Sequence, residues 1–309
     1  MRQKTSFRMK AGYSLLFALI IGLPVRPAFA DDSQTLTKIR ETGIITIGYS
    51  NGSAPFSYID KKPVPIGYSI DVCRRIVDAI KTRLQLPDLQ IKYTPVTTAN
   101  RISFVANDIV DLECGTSTNN AERQKRVAFT VTTFVATGSM AVKRRSGIRN
   151  AGDLGGETVV STAGSTSMSA LVALNRSLGL RMNIVAARDH VAAFSMLEAG
   201  RASAFVMDDV LLHGFVANSK KPSDYQVREF GTAVEPYGIL LRKGDAGLKR
   251  IADDTIIRMF TSGEMTSLYE KWFQSPIPPK YVSLSLPMKP VFRRLISQPT
   301  DSGDPDEYR

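Results

Sequence analysis

The stretch RISFVANDIVDLECG, residues 101–115, decides the fold of this chain. It has the pattern of a short helix, a tight turn and a strand. The same order recurs in HVAAFSMLEAGRASAFVMDD, residues 190–209, where Gly200 marks the end of a helix that reaches Ala199. Two copies of one helix–turn–strand unit predict two similar lobes.

The segments around each copy alternate between strand and helix. Residues 44–49, IITIGY, and residues 89–96, LQIKYTPV, have strand patterns. Residues 157–174 give a strand, a polar loop and a helix. Such alternation is typical of α/β lobes with a largely parallel sheet. Between the first two strands, residues 71–84 carry apolar side chains at helical spacing, namely Val72, Ile76, Val77, Ile80 and Leu84.

Two extended segments predict that the chain crosses twice between the lobes. Residues 132–144 resemble a strand that leaves the first lobe, and residues 226–244 a strand that returns to it. The first lobe is then discontinuous. The expected division is a leader at 1–30, lobe one at 31–137 plus 236–280, lobe two at 138–235, and a partly ordered C-terminal tail at 281–309.

Residues 1–30 have the composition of a secretory signal peptide. Basic residues precede the apolar run 11–23, and Ala28-Phe29-Ala30 is a small-x-small cleavage site. The apolar run is shorter than the ~20 residues that a membrane span needs. We therefore expect export to the periplasm with cleavage after Ala30; the alternative is an uncleaved membrane anchor.

The net charge of +11 comes partly from the leader, which holds five basic residues and no acids. The exported chain keeps 35 basic and 29 acidic residues, a net charge of +6. Basic and acidic residues are interspersed apart from short runs such as 143–145, so nucleic-acid binding is not expected. A mildly positive field favours an anionic ligand.

The two cysteines are placed where a disulfide is one of two outcomes. Cys73 lies on the helix predicted at 71–84, and Cys114 ends a strand that such a helix covers. An oxidising exported compartment permits a bridge, but its formation depends on geometry that the sequence does not give. A disulfide and two free thiols both stay open.

Hydroxyl-rich loops follow the predicted strands in both lobes. Strand ends face the ligand crevice in α/β lobes. Short hydroxyl side chains and free amides at helix N-termini are suited to binding a carboxylate. The residues at these strand ends are Ser50 to Ser53, Thr116 to Thr118, Thr162 to Ser167, and Asp208.

Arg123 and Asp208 add opposite charges to these loops. Arg123 lies on the helix-like AERQKRV, residues 121–127, and its guanidinium can bind a carboxylate through two N–H groups. Asp208 offers the complementary anion for an ammonium group. A site for one anion and one cation fits an α-amino acid.

Each of these residues also has a purely structural interpretation. Hydroxyl-rich loops commonly cap helices. Asp208 and Asp209 can both cap the helix that follows them. Arg123 can form a surface ion pair with Glu113 or Glu122.

Motifs for catalysis or metal binding are missing from the sequence. It has no G-x-S-x-G, S-x-x-K, H-E-x-x-H or Walker loop. Its two histidines, His190 and His213, have no partners at metal-ligand spacing. We therefore expect no metal and no cofactor. His213 is expected to be packed or at the surface, and His190 either faces the crevice or caps a helix.

Several blocks of the sequence resemble one family. The chain is similar, over about residues 36–280, to the periplasmic glutamate/aspartate-binding proteins of ABC importers, within the family 3 solute-binding proteins. The blocks are PFSY (55–58), GYSID (67–71), NR (100–101), ECG-x-x-TNN-x-ERQK (113–125), DH (189–190), MDD-x-LL (207–212), YG-x-x-LRK (237–243), DDTI (253–256), TSGE (261–264) and KWF-x-x-PIPPK (271–280).

The resemblance implies a fold and a set of binding residues. The fold is a type II periplasmic binding protein, with two α/β lobes joined by two crossover strands and the ligand in the cleft. The implied α-carboxylate site is Arg123 with Thr118 and Thr116, completed by Ser165 and Thr166 beside Thr162. Asp208 is the implied partner of the α-ammonium, and Arg101 and His190, with Thr98, are the implied readers of a side-chain carboxylate.

One position departs from the pattern of the subgroup. An arginine usually stands in the loop after the first strand, where this chain has Ser50. Losing that arginine removes one charge-assisted contact to an acidic ligand, worth about 1.5–3 kcal/mol. Glutamine, asparagine or a related dicarboxylate therefore stays an alternative ligand.

The resemblance implies a monomeric transport component without enzymatic activity. It would capture glutamate or aspartate and dock on an ABC permease in the inner membrane. Two other functions stay open. One is a periplasmic dehydratase-like enzyme using Glu113, Asp208 or His190 as acid or base, and the other is a sensor that binds a ligand without transporting it.

Overall fold

Two five-stranded sheets organise the part of the chain that the structure, a computed structural model, describes: Met1, Gln3 and residues 33–309. The predicted signal peptide therefore lies, apart from Met1 and Gln3, outside the described residues. The strands are β1 Ile44–Tyr49, β2 Gly52–Ser53, β3 Ser57–Tyr58, β4 Gln90–Pro95, β5 Leu112–Glu113, β6 Val127–Phe129, β7 Phe134–Lys143, β8 Thr158–Thr162, β9 Asn183–Ala187, β10 Ala204–Asp208, β11 Tyr225–Tyr237 and β12 Leu240–Arg242.

Helices connect and cover these strands. They are α1 Gln34–Thr42, α2 Tyr68–Leu84, α3 Arg101–Ala106, α4 Ala121–Gln124, α5 Thr166–Leu178, α6 His190–Glu198, α7 Asp209–Asn218, α8 Ala246–Thr261, α9 Glu264–Tyr269 and α10 Pro290–Ser297. Short 3₁₀ turns lie at Ala151–Leu154, Pro222–Asp224 and Pro305–Tyr308, and a π-helical turn lies at Glu270–Gln274. None of the described helices is long and apolar enough to cross a membrane.

The first sheet has the order β4-β1-β5-β12-β6. Strand β1 pairs in parallel with both β4 and β5, whereas β12 is antiparallel to β5 and β6. The strand predicted at 44–49 has the same bounds as β1, and the one predicted at 89–96 contains β4. The second sheet, β11-β7-β10-β8-β9, repeats this arrangement, with β8 parallel to β9 and β10.

The chain passes between the two sheets at two points. It leaves the first sheet after β6 and enters the second at β7, and it returns between β11 and β12. Strands β7 and β11 run antiparallel from Phe134↔Tyr237 to Lys143↔Tyr225. These are the two extended segments predicted from the sequence. The connectivity agrees with a discontinuous first lobe, while the lobe boundaries at 137/138 and 235/236 stay a prediction.

Helix α2 packs the apolar face that its sequence predicts. All five apolar side chains predicted for that face are buried. Cys73, on the same face, forms a disulfide with Cys114 at the end of β5. The open question of the two cysteines is answered by this bond, which ties α2 to the strand that carries the Thr116–Thr118 loop.

Aromatic rings fill the space where the chain passes between the sheets. Phe134, the first residue of β7, lies with its ring centroid 4.9 Å from those of Phe56 and Phe273. Tyr237, the last residue of β11, is 5.3 Å from Phe56 and almost fully buried. This packing fixes the ends of both crossing strands, and with them the residues that face the site.

The C-terminal segment 281–309 is more ordered than the expected tail. Helix α10 and the turn at 305–308 bury Phe292, Leu295 and Tyr308. Tyr308 hydrogen-bonds through its hydroxyl to Thr132 at 2.7 Å. The missed signal was the amphipathic PVFRRLIS at 290–297, whose apolar face packs against α8 and β7.

Candidate functional site

The loops that follow β5 and β8 meet at one buried carboxylate. Thr118, in the loop after β5, donates its hydroxyl hydrogen to Glu235 over 2.6 Å. Thr166, the first residue of α5, donates to the same oxygen of Glu235 over 2.8 Å. Two hydroxyls predicted to bind a ligand carboxylate therefore come together, although one belongs to the first sheet and the other to the second.

Arg123 points into this site rather than to the surface. The Asn120 side chain caps α4 by accepting from the Arg123 backbone N–H at 2.9 Å. The helix predicted for residues 121–127 ends after Gln124, because Val127 pairs with β12. The Arg123 guanidinium donates to the carbonyls of Thr118 at 2.8 Å and Gly164 at 3.4 Å.

Arg123 is buried in an environment that contains both a second arginine and carboxyl groups. Burial and the charge of Arg101 together lower the pKa of Arg123 to about 10, although Glu235, Asp208 and Glu113 act to raise it. A pKa near 10 leaves the guanidinium protonated at neutral pH. Glu122, a possible surface partner of Arg123, instead pairs with Lys125 at 2.5 Å.

Asp208 stands at the N-cap position of α7 but its side chain makes no capping hydrogen bond. It accepts from the hydroxyl of Ser167 at 3.1 Å and from the hydroxyl of Tyr237. Burial and the nearby charge of Glu235 raise the pKa of Asp208 to about 8. Asp209, the first residue of α7, accepts from the backbone N–H of Val210 at 2.8 Å and so satisfies one free amide of the first turn.

Arg101 forms a second buried cationic centre. Its Nε donates to the Ser117 hydroxyl at 2.6 Å, and its Nη1 donates to the carbonyl of Thr98. Ser117 in turn donates to Glu113 at 2.6 Å. Burial raises the pKa of Glu113, and the charge of Arg101 opposes that rise. Arg101 and Glu113 therefore compensate each other's charge inside the protein.

His190 is the first residue of α6, and it lies close enough to Arg101 for the arginine charge to affect its pKa. Its Nδ1 is 2.7 Å from the Thr162 hydroxyl. Capping of α6 falls to Asp189, which accepts from the Ala192 N–H at 2.7 Å, so His190 is not the cap. Burial and the charge of Arg101 lower the pKa of His190 to about 4, so the ring is neutral at pH 7.

Three further predicted positions have other surroundings. Ser165 is the N-cap of α5, where its hydroxyl accepts from the Met168 N–H at 3.0 Å and donates to the Thr162 carbonyl at 2.7 Å. Thr116 is half-buried beside Ser117. Ser50, at the position of the missing arginine, shares a hydrogen bond of 2.8 Å with Ser53.

Sequence reasoning missed the roles of Glu235, Tyr237, Ser117 and Ser167. Glu235 and Tyr237 lie on β11 and are both buried. An acid in the otherwise weakly polar AVEPYG, residues 233–238, is the one available signal for Glu235. Across Met1, Gln3 and residues 33–309, no cluster of His, Cys, Asp or Glu is arranged to hold a metal ion.

The pKa of His190 makes acid stability a test of its burial. The unfolded-state pKa of about 6.5 exceeds the folded value of about 4, so the unfolded chain binds the proton first. The neutral, buried His190 therefore stabilises the fold fully only above pH 6.5. As the pH falls to 4, the free energy of unfolding decreases by about 3 kcal/mol because of this residue.

We expect the His190→Gln variant to lose less free energy of unfolding between pH 7 and pH 4 than the wild type does. Urea denaturation at both pH values measures the difference. The control is His213→Gln, which removes the other histidine of the chain, an exposed one. Equal losses in wild type and His190→Gln would show that His190 is not held neutral.

Two glycines lie where the β2–β3 hairpin meets helices α6 and α7. A Cβ added at Gly214, on α7, would lie 2.7 Å from the carbonyl oxygen of Ala54, between β2 and β3. A Cβ at Gly52 would lie 2.5 Å from Cγ2 of Val191 on α6. Both distances are shorter than van der Waals contact allows. The absence of side chains here lets the loop between β1 and β3 lie against α6 and α7.

The Gly214→Ala variant tests the contact between α7 and Ala54, because its effect on ligand affinity can be compared with its effect on stability. Alanine stabilises a helix by roughly 1 kcal/mol relative to glycine, while the new methyl group pushes α7 away from Ala54. We expect an unchanged or lower Tm, because the clash with the Ala54 backbone opposes the gain in helix propensity, together with a roughly tenfold weaker ligand affinity, about 1.4 kcal/mol. Thermal unfolding and calorimetric titration measure the two effects, with the exposed neighbour variant His213→Ala as control. Unchanged affinity would show that the contact does not form in the ligand-bound state.

Comparison with known proteins places the chain in a family. The family described as bacterial extracellular solute-binding proteins, family 3, matches residues 45–275. The L-glutamate/L-aspartate-binding protein of Pseudomonas aeruginosa is 45% identical over 96% of this chain and 99% of its own. The glutamate/aspartate import solute-binding protein of Escherichia coli is 41% identical over 96% of this chain and 98% of its own.

Solved structures agree with this placement. A mutant of ArgBP from T. maritima superimposes with a TM-score of 0.69 at 26% identity, covering 78% of this chain and 99% of that one. The chain belongs to the bacterial extracellular solute-binding proteins of family 3, and the predicted type II periplasmic binding fold is confirmed.

Proposed function

We propose that the protein is the extracytoplasmic solute-binding component of an ABC importer and that it binds the acidic L-amino acids glutamate and aspartate. One observation carries the proposal: two buried guanidinium groups, Arg101 and Arg123, and a buried acid, Asp208, surround a single site. The relatives with 41–45% identity are named for glutamate and aspartate, which supports this choice of ligand.

The α-carboxylate of the ligand is assigned to Arg123. Its guanidinium has N–H groups for two carboxylate oxygens, and the hydroxyls of Thr118 and Thr166 lie beside it. Thr116 and Ser165, with Thr162, complete the surrounding loops; Ser165 contributes mainly through capping α5. The N-terminal end of α5 adds a favourable dipole for an anion.

The α-ammonium of the ligand is assigned to Asp208. This carboxyl is fixed by Ser167 and Tyr237 and is buried. Burial disfavours its ionised form, and a nearby ammonium group would stabilise that form. Binding would convert Asp208 from the protonated to the ionised form, because a nearby cation lowers its pKa from about 8.

The side-chain carboxylate is assigned to Arg101, with His190 and Thr98 nearby. The Arg101 charge acts directly on His190, so the two groups share one neighbourhood. An added carboxylate there would raise the pKa of His190 and favour a charged ring. Ser50 stands where the resembled subgroup usually has an arginine and carries no charge, which favours glutamine or asparagine as the second candidate ligands.

The proposed partner of the protein is a membrane permease, and no catalytic activity is proposed for it. Closure on the ligand would present a surface to a permease, and the protein would work in the periplasm as a monomer after loss of residues 1–30. The absence of recognisable catalytic motifs in the sequence and the transport or binding names of the relatives support a binding role over a dehydratase.

Calorimetric titration of the ligand-stripped chain beginning at Asp31 tests the proposal. The ligands are L-glutamate, L-aspartate, L-glutamine, L-asparagine, L-histidine and L-arginine. We expect glutamate or aspartate to bind tightest, with incubation monitored by NMR leaving the ligand unchanged. A preference for glutamine or asparagine would overturn the acidic specificity, and binding of none would overturn the transport function.

A further inference from the structure

Glu235 occupies the donors that the proposed ligand needs. It lies on β11 opposite Ala136 of β7 and is only 4% exposed. One of its carboxylate oxygens accepts from Thr118 and from Thr166, at 2.6 and 2.8 Å. Because Thr118 follows a strand of the first sheet and Thr166 begins a helix of the second, this single carboxylate joins the two parts of the site.

Each threonine hydroxyl can serve either Glu235 or a ligand carboxylate, but not both at once. A threonine hydroxyl has one hydrogen and donates one strong hydrogen bond. While Thr118 and Thr166 donate to Glu235, they cannot donate to the α-carboxylate of a ligand. Entry of that carboxylate at Arg123 therefore requires Glu235 to release one or both hydroxyls.

Charge adds to the competition. Arg101 and Arg123 lie among three buried carboxyl groups, Glu113, Asp208 and Glu235. The electrostatic attraction of Arg123 is already shared with Glu235, whose charge raises the pKa of that guanidinium. An anionic ligand thus meets a site whose cations are partly neutralised, and a neutral ligand is penalised less.

We infer that Glu235 is an affinity-setting residue: an internal carboxylate that bridges Thr118 and Thr166 in the unliganded protein and is displaced by the ligand's α-carboxylate. This inference rests on the proposed function. Glu235 would then set the affinity for amino acids and the discrimination between acidic and neutral ligands. Because it links the two parts of the site, it would also favour the closed arrangement of the protein without ligand.

The test is the Glu235→Gln variant. Glutamine keeps the size of the side chain and an oxygen acceptor but removes the charge, so its hydrogen bonds to the two hydroxyls are weaker. Glu229→Gln is the matched control, because Glu229 lies on the same strand and is exposed. Thermal unfolding confirms that each variant is folded.

Calorimetric titration with L-glutamate and L-glutamine gives the first result. We expect Glu235→Gln to bind L-glutamate at least about threefold more tightly than wild type, with a smaller gain for L-glutamine and no change in Glu229→Gln. Unchanged binding of L-glutamate would reduce Glu235 to a structural role. Weaker binding would make it a direct partner of the ligand's ammonium group, and either result overturns the competition.

Small-angle X-ray scattering of the unliganded proteins gives a second result that needs no ligand. Without the charged bridge we expect a larger radius of gyration in Glu235→Gln than in wild type or Glu229→Gln. Equal radii would overturn the bridge. If wild type binds neither amino acid but the radii differ, the proposed ligand is wrong while the bridge stands, so the two failures are distinguishable.

Discussion

Replacement of Arg123 by alanine is expected to raise the Kd for L-glutamate by roughly 100-fold or more. The guanidinium is buried and already fixed by the carbonyls of Thr118 and Gly164, so little order is lost when a carboxylate binds. Losing a charge-assisted, two-pronged contact costs about 3 kcal/mol, which corresponds to this change in Kd.

Two matched variants define what the loss at Arg123 means. Arg123→Lys keeps a charge without the planar fork, and we expect an intermediate affinity. Arg126→Ala removes an exposed arginine three residues further along and should bind like wild type. Calorimetric titration measures all three, with Tm as the check on folding. Wild-type affinity in a folded Arg123→Ala protein would exclude Arg123 from the carboxylate site.

Asp208→Asn is expected to abolish amino-acid binding without harming the fold. Since burial raises the pKa of Asp208 to about 8, the unliganded carboxyl is largely protonated at pH 7, and asparagine resembles that form. Ser167 and Tyr237 donate to different oxygens of Asp208, so asparagine keeps one of these hydrogen bonds, and the other hydroxyl has to turn and accept from its NH2 group. The ammonium of the ligand, however, loses its counter-ion, and breaking a buried ion pair costs about 3–5 kcal/mol, or 100-fold or more in Kd.

Proton release gives this prediction a second readout. In wild type the ligand's ammonium lowers the pKa of Asp208, so binding near pH 7 releases a proton, which calorimetry in two buffers of different ionisation enthalpy detects. Asp208→Asn should show no such release from this position. Asp254→Asn, at an exposed residue of α8, is the control for loss of an acid elsewhere. Tight binding by Asp208→Asn would refute the ammonium assignment.

Local pattern was sufficient to predict much of the fold. Strand β1 and the buried face of α2 follow from alternation and helical spacing, which act over a few neighbouring residues. The extended segments 132–144 and 226–244 were recognised because they lack a helical pattern. The order of C-terminal residues 281–309 was underestimated, since the packing of Phe292 and Tyr308 depends on distant partners.

The site was predictable where one residue marks a strand end or a helix start. Arg123, Asp208 and His190 were candidates from their places in the predicted loops and helices, whereas Arg101 followed only from the family resemblance; the structure buries all four, and their roles in binding stay predictions. Ser165 illustrates the capping alternative, because its hydroxyl is used by α5. Such local signals do not say which of two roles a hydroxyl takes when partners are far away in sequence.

Glu235 shows the limit of reading a sequence locally. Its partners Thr118 and Thr166 are 117 and 69 residues away, and its burial results from the pairing of β11 with β7. A single acid in an extended segment has no periodicity to reveal it. The disulfide between Cys73 and Cys114 is similar, because the two cysteines are 41 residues apart and only the tertiary fold brings them together.

A crystal structure of the ligand-stripped protein soaked or co-crystallised with L-glutamate tests the central claim most directly. We expect the α-carboxylate on Arg123, the ammonium on Asp208, the side-chain carboxylate at Arg101 and His190, and Glu235 released from at least one threonine. Glutamate bound elsewhere, or bound with its α-carboxylate away from Arg123, would contradict the account.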